Sequence, residues 1–131
     1  AKIAISKDYY SINKKTKHIT GRRSKKVTFY LRSIYDCIFS TSKTINMDNS
    51  KLNCRLNGFD NLKPDLFIID INLKLKKKLF INEFSGKRTI YLITKKENFE
   101  KINFFKKKGF KFIFINSLKK KEDFFDLFKK I

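Results

Sequence analysis

The chain is short of the residues from which most nucleotide loops and metal sites are built. Its 131 residues hold four glycines, one proline, one histidine, two cysteines, one methionine and no tryptophan. The glycines, Gly21, Gly58, Gly86 and Gly109, are too dispersed for a G-x-G-x-x-G or Walker-type phosphate loop. One histidine, His18, and two cysteines without C-x-x-C spacing cannot supply the roughly four ligands of a structural zinc site. The lone histidine near one end also leaves no credible Ser–His–Asp set. Cys37, in the apolar run D-C-I-F-S, reads as a small buried residue, and a free pair of thiols suits a reducing, cytoplasmic compartment. No uninterrupted apolar run is long enough to cross a membrane as a helix. No apolar stretch ending in small residues stands near the start, so no secretory leader is expected. The first residue is Ala1, which leaves open a processed start or a piece of a longer product.

Acidic residues are also scarce. Lys and Arg number 32 against 12 Asp and Glu, a formal charge of +20. Taken alone, that charge points to nucleic acid, a membrane surface or another polyanion. Its make-up argues for a blander origin, since 27 of the basic residues are lysine and only five are arginine. With 17 Ile, 11 Asn and only two Ala, the composition follows codons rich in A and T, which push solvent-exposed positions toward lysine. Proteins that read bases or fork phosphates favour arginine. A nucleic-acid partner is therefore the less favoured reading, and no membrane partner is expected.

What is plentiful is aromatic and apolar. Fifteen Phe, five Tyr and a hydrophobic share of 41% allow a packed core, so a wholly disordered chain is excluded. The length fits one domain or part of one, and residues 1–131 carry no linker or repeat that would mark an internal boundary. Short apolar runs predict strands at 2–6, 36–41, 65–70, 88–94 and 110–116. The third, opened by Pro64, suits a strand buried on both faces. Between them, Ser24 to Tyr35 places Val27, Leu31 and Ile34 at helical spacing, with Thr20 available to cap. Glu97 to Lys108 places Ile102 and Phe105 together and stops at Gly109, while Glu122 to Ile131 carries Phe124, Phe125, Leu127, Phe128 and Ile131. Lys74 to Lys87 reads as a polar connection. Such alternation predicts an α/β fold with a mainly parallel sheet and flanking helices.

The densest run of functional residue types follows a strand end: S-T-S-K-T-I-N-M-D-N-S-K-L-N-C-R-L-N-G, Ser40 to Gly58. Open α/β sheets place ligands beyond strand ends. The hydroxyls of Ser40, Thr41, Ser42 and Thr44 can donate to phosphate or ribose oxygens, Asp48 can accept from ribose hydroxyls, and Arg55 can fork a phosphate. The competing reading is a polar surface loop with Asx and Ser/Thr turns.

The longer string L-R-S-I-Y-D-C-I-F-S-T-S-K-T-I-N-M-D-N-S-K-L-N-C-R-L-N-G resembles the signature of the riboflavin-biosynthesis reductase domain, which follows a deaminase domain in the bifunctional bacterial protein. K-I-A-I-S-K-D and H-I-T-G resemble that family's opening strand and its W-I-T turn. P-D-L-F-I-I-D-I-N-L resembles its next strand and turn, and the likeness covers residues 2 to about 95. The resemblance implies a dihydrofolate-reductase-like α/β fold. It also implies an enzyme reducing 5-amino-6-(5-phosphoribosylamino)uracil to its ribitylamino form, with hydride passing from NADPH to C1′ of the sugar.

Carried over by position, the resemblance assigns cofactor contacts to Ala4, His18, Thr44, Asp48 and Ile71. Substrate contacts fall on Thr16, Arg32, Leu52 and Arg55, the two arginines holding the phosphate. His18 stands where the family commonly has Trp. No catalytic acid is assigned. The family closes its cofactor site with a later Glu-Gly-Gly segment, and no glycine pair exists in this chain. The expectation is a reductase domain incomplete at its C-terminal end, working with a fused or separate deaminase domain and with room for a homodimer. Two rivals stay open. One is a basic RNA- or ribosome-binding α/β protein, argued from charge and interleaved Phe and Lys. The other is a degenerate receiver domain, in which Asp70 and Thr94 imitate the phosphoacceptor and switch residues.

Overall fold

The computed structural model describes residues 21–58, 64–84, 87–95 and 99–131. The expected strand 2–6, the Thr20 cap and the candidates Ala4, Thr16 and His18 lie outside the described residues. Among the described residues, four strands form one sheet in the order β1 (Cys37–Thr41), β2 (Asp65–Ile69), β3 (Ile90–Thr94), β4 (Lys111–Phe114). All three pairings are parallel. Helix α1 (Arg22–Ile34) precedes β1, α2 (Ser42–Asp48) follows it, α3 (Phe99–Lys107) links β3 to β4, and α4 (Lys121–Lys129) follows β4. This is the α/β architecture expected from the alternating pattern. No helix of the described residues is long and apolar enough to cross a membrane.

Strand alternation sorts the core into two faces. On β2, Leu66 and Ile68 point to one face and Phe67 to the other, all buried. The first face collects Ile90 and Leu92 from β3, Ile45 from α2, Ile81, and Ile102 and Phe105 from α3. Parallel strands in sequence order with crossovers of one hand put their connections on one side, and the described parts of those connections, Ile45, Leu73, Leu75, Ile81, Ile102 and Phe105, pack on this face. The second face carries a row set by register: Phe39 pairs with Phe67, Phe67 with Tyr91, and Tyr91 with Lys111. The rings stack at 4.9 and 4.5 Å between centroids, and the Lys111 ammonium lies 5.5 Å from the Tyr91 ring. Each such aromatic pair adds about 0.5–1.5 kcal/mol beyond area burial.

Three expectations are corrected. Ser42–Asp48, read as loop, is a helix, because Thr41 accepts the Thr44 amide at its start and Asn49 takes a left-handed φ of 44° at its end. The polar connection from Lys74 buries Leu75 and Ile81 and makes a 3₁₀ turn at Phe80–Phe84. Val27 and Ile34, expected to face the core, are 56% and 52% exposed, and α1 buries none of its residues fully. On α4 only Leu127 is buried, while Phe128 meets Phe39 edge-on at 5.9 Å.

Candidate functional site

A parallel sheet has two chemically different rims, and the candidates divide between them. The carboxyl rim is where β1, β2 and β3 end at Thr41, Ile69 and Thr94. Asp70, one residue past β2, is buried there. It accepts from the Ser42 hydroxyl at 2.7 Å and from the Lys74 and Leu75 amides at 2.8 Å each. Thr94, fully buried, donates to the Ile71 carbonyl at 3.1 Å. The half-buried Ile71 thus sits at the turn leaving β2, with its carbonyl already engaged. Thr41 and Thr44 are exposed and their hydroxyls lie 3.1 Å apart, so each keeps lone pairs for a ligand. Asp48 is exposed at the last turn of α2. Hydroxyls and an open carboxylate of this kind fit the ribose and amide groups of a dinucleotide. For its pyrophosphate the described residues show no glycine cradle: Gly58 has open space around it rather than a close approach.

The amino rim is cationic. Arg32, near the end of α1, donates to the Asn53 carbonyl at 2.9 Å. Its guanidinium lies 5.6 Å from the centroid of the Phe29 ring, and that of Arg55 lies 5.0 Å from the same ring. The structure therefore brings together the two arginines that the sequence separates by 22 intervening positions. Burial, then the charge of Arg55, lowers the Arg32 pKa from its ordinary value. Arg55 is exposed and donates no hydrogen bond among the described residues. Nearby, the Cys54 thiol donates to the Phe29 carbonyl at 3.3 Å, and the Asn53 Oδ1 is buried with no partner among the described residues.

A third guanidinium belongs to this group, and sequence reasoning missed it. Arg88, two residues before β3, is buried at 8% exposure. It donates to the Leu52 carbonyl at 2.9 Å and to the Lys51 carbonyl at 2.7 Å. Burial, then the Arg32 charge, pulls its pKa down to about 10 against the opposing field of Asp65. The strand run R-T-I-Y-L-I-T includes Arg88 as a strand opener. The one available signal is that a lone arginine in a lysine-rich chain stands just where an apolar strand begins.

Thr44 does not join the arginines. Thr44 follows the end of β1, whereas Arg88 precedes β3 in a parallel sheet, and a five-residue strand spans about 17 Å. Leu52 stands with the arginines: its carbonyl is held by Arg88 and its φ is 50°. The receiver arrangement fails on geometry. Its phosphoacceptor strand has the first strand as a neighbour, in the order 2-1-3-4-5. Here the strand of Asp70 pairs directly with the 37–41 strand, and both Asp70 oxygens already accept hydrogen bonds.

No protein-family model matches the chain, and no curated protein matches it. Among solved structures, it is similar to a diaminohydroxyphosphoribosylaminopyrimidine deaminase/5-amino-6-(5-phosphoribosylamino)uracil reductase from Thermotoga maritima. The two share 26% sequence identity with a TM-score of 0.53, over 73% of this chain and 25% of that one. The chain thus spans about a quarter of that protein's length, and its parallel α/β fold matches part of that deaminase/reductase.

Proposed function

We propose that this chain carries a reductase site for a phosphorylated pyrimidine nucleoside-like substrate. The reaction is NADPH-dependent reduction of 5-amino-6-(5-phosphoribosylamino)uracil at C1′ of its sugar. The observation that carries the reading is the pair Arg32 and Arg55 beside one ring, Arg55 exposed and without a hydrogen bond among the described residues. Two guanidiniums held close, with no carboxylate between them among the described residues, raise each other's energy, and an anion relieves this repulsion. A phosphate monoester offers the charge and the oxygen geometry that a guanidinium fork matches. The likeness to a reductase of a phosphoribosylaminouracil supports the same substrate class.

In this reading Arg32 and Arg55 anchor the phosphate at the amino rim, with Leu52 and Thr16 contributing further substrate contacts. The substrate then runs toward the carboxyl rim. There Thr44, Asp48 and Ile71 contribute to holding the cofactor, and Ala4 and His18 complete the set of cofactor contacts in this reading. NADPH supplies the hydride when bound. The chain's own share is placement: the arginines fix one end of the substrate, so the reacting carbon has few positions to sample, and restricted geometry of this kind lowers a barrier by several kcal/mol. The Asn53 Oδ1, buried and unpartnered among the described residues, is an acceptor suited to a sugar hydroxyl. A deaminase domain, fused or separate, would be the source of this substrate, and the protein works in the cytoplasm.

The test is NADPH consumption by the purified chain with the phosphoribosylaminouracil substrate, beside NADPH titration followed by nicotinamide fluorescence. Saturable NADPH binding with substrate-dependent consumption supports the reading. Absence of both, together with RNA binding that falls steeply with salt, replaces it with the RNA-binding alternative.

A further inference from the structure

We propose that Arg88 is a positioning residue for the anion site: by holding the two peptide groups around Leu52, it delivers Arg55 to the side of Arg32. This rests on the phosphate reading of Arg32 and Arg55.

Leu52 adopts a φ of 50°, the left-handed region that an L side chain occupies only at a cost. The relative orientation of the peptide groups 51–52 and 52–53 is what that φ and its ψ define. Arg88 donates to the carbonyl of each of these peptide groups, at 2.7 and 2.9 Å. One rigid planar fork therefore fixes both sides of the bend. Its base is equally rigid, since Arg88 is buried and Thr89 beside it donates its amide to Asp65 at the start of β2. Beyond the bend the chain is held at each step. Asn53 offers its carbonyl to Arg32, Cys54 donates to Phe29, and Arg55 arrives at the Phe29 ring. Without the fork, Leu52 is free to relax toward negative φ, and the direction of the following three residues changes with it. A lysine cannot replace Arg88 in this role, because a single ammonium lacks the fork that spans two successive carbonyls.

The experiment uses the chain and its Arg88→Lys, Arg88→Gln, Arg55→Ala and Arg88→Lys/Arg55→Ala variants, titrated calorimetrically with ribose 5-phosphate and, as control, ribose. The unaltered chain should prefer ribose 5-phosphate. Arg88→Lys and Arg88→Gln should each lose about tenfold of that affinity, the worth of one charge-assisted hydrogen bond, with ribose binding unchanged. Amide hydrogen exchange should rise at 51–55 and stay constant in β2. Adding Arg88→Lys to Arg55→Ala should cost little more than Arg55→Ala alone, because Arg88 acts through Arg55. Independent, additive losses, or wild-type affinity in Arg88→Lys, would make Arg88 a purely structural residue and overturn the proposal. A wild-type chain with no preference for ribose 5-phosphate overturns the phosphate reading and this proposal together, whereas a preference that survives Arg88→Lys overturns this proposal alone. Should both Arg88 variants fail to fold, NMR of the unaltered chain decides. Ribose 5-phosphate should shift the Arg88 Nε–H and the amides of 52–55 together, and movement of Arg55 alone refutes the coupling.

Discussion

At the carboxyl rim, Asp70 is buried and accepts from Ser42 and from two backbone amides, whereas at the amino rim Arg55 is exposed and rests on the face of Phe29. Both are charged, yet they serve different ends. A buried carboxylate with three donors has its lone pairs occupied by the protein, so it organises the turn after β2 and has little left for a ligand. An exposed guanidinium that shares an aromatic ring with another, and that donates no hydrogen bond among the described residues, keeps its donors available for a ligand. The contrast separates a charge that supports the fold from one that remains available for chemistry, and a plain count of charged residues cannot make that distinction.

The largest expected effect is at Asp70. Asp70→Ala removes the acceptor of three hydrogen bonds at a buried site and should cost about 3 kcal/mol of folding stability, read from urea unfolding midpoints. Ribose 5-phosphate affinity, measured where the variant is folded, should stay near wild type. If binding falls and stability holds, the two rims have been assigned the wrong way round.

Arg55→Ala should do the reverse. Loss of an ionic, forked phosphate contact should weaken ribose 5-phosphate about 30-fold, near 2 kcal/mol. Stability should drop by about 1 kcal/mol or less, the worth of an exposed cation–π contact. Isothermal titration beside a thermal melt separates the two effects.

The pH dependence sharpens the picture. Ribose 5-phosphate gains its second negative charge near pH 6, so affinity should rise about tenfold from pH 5 to pH 7. A lowered cation pKa means that charge is lost only as pH rises through it, and Arg88 still carries its proton below about 10. Binding should therefore stay flat from pH 7 to pH 9. A decline within that window, seen in the same titrations, would show that the anion is held by a group of lower pKa than these arginines.

The smallest effect belongs to Thr41. Its hydroxyl caps α2 by accepting the Thr44 amide at 3.3 Å, and Thr41→Ala should cost about 1 kcal/mol, visible as a modest drop in Tm. Phosphate affinity should be unchanged, since the cap lies at the far rim. A matching loss of phosphate affinity would join the two rims into one cleft.

Much of the fold was legible because strands and amphipathic helices write their period into the chain. The run P-D-L-F-I-I-D announced a strand covered on both faces, and Leu66, Phe67 and Ile68 are buried accordingly. Helix α2 was less legible. Seven residues rich in Ser, Thr, Asn and Asp look like a loop by propensity, and tertiary contacts stabilise them as a helix: Ile45 buried against the sheet, Ser42 bonded to Asp70, Asn46 bonded to the 74–76 backbone, and the caps at either end. The exposure of Val27 and Ile34 was hidden for a related reason, since helical spacing shows which residues share a face but not what that face meets.

The candidate site was legible by likeness rather than by period. The resemblance of the string from Leu31 to Gly58 to a reductase signature implied Arg32, Thr44, Asp48, Leu52 and Arg55. By itself the sequence determined the α/β class and the central buried strand, and it named the candidate residues for a phosphate site. Which of them stand together was decided by tertiary structure. Parallel register and the contacts of the three arginines place Arg32, Arg55 and Arg88 at one rim and Thr44 at the other, although Thr44 is closer to Arg55 in the chain than Arg88 is. The physical reason is that a strand carries the chain about 17 Å between rims in five residues, while a turn can leave it where it was. Distance along the chain therefore says little about distance across the sheet, and a buried arginine gripping two carbonyls leaves no periodic trace in the sequence.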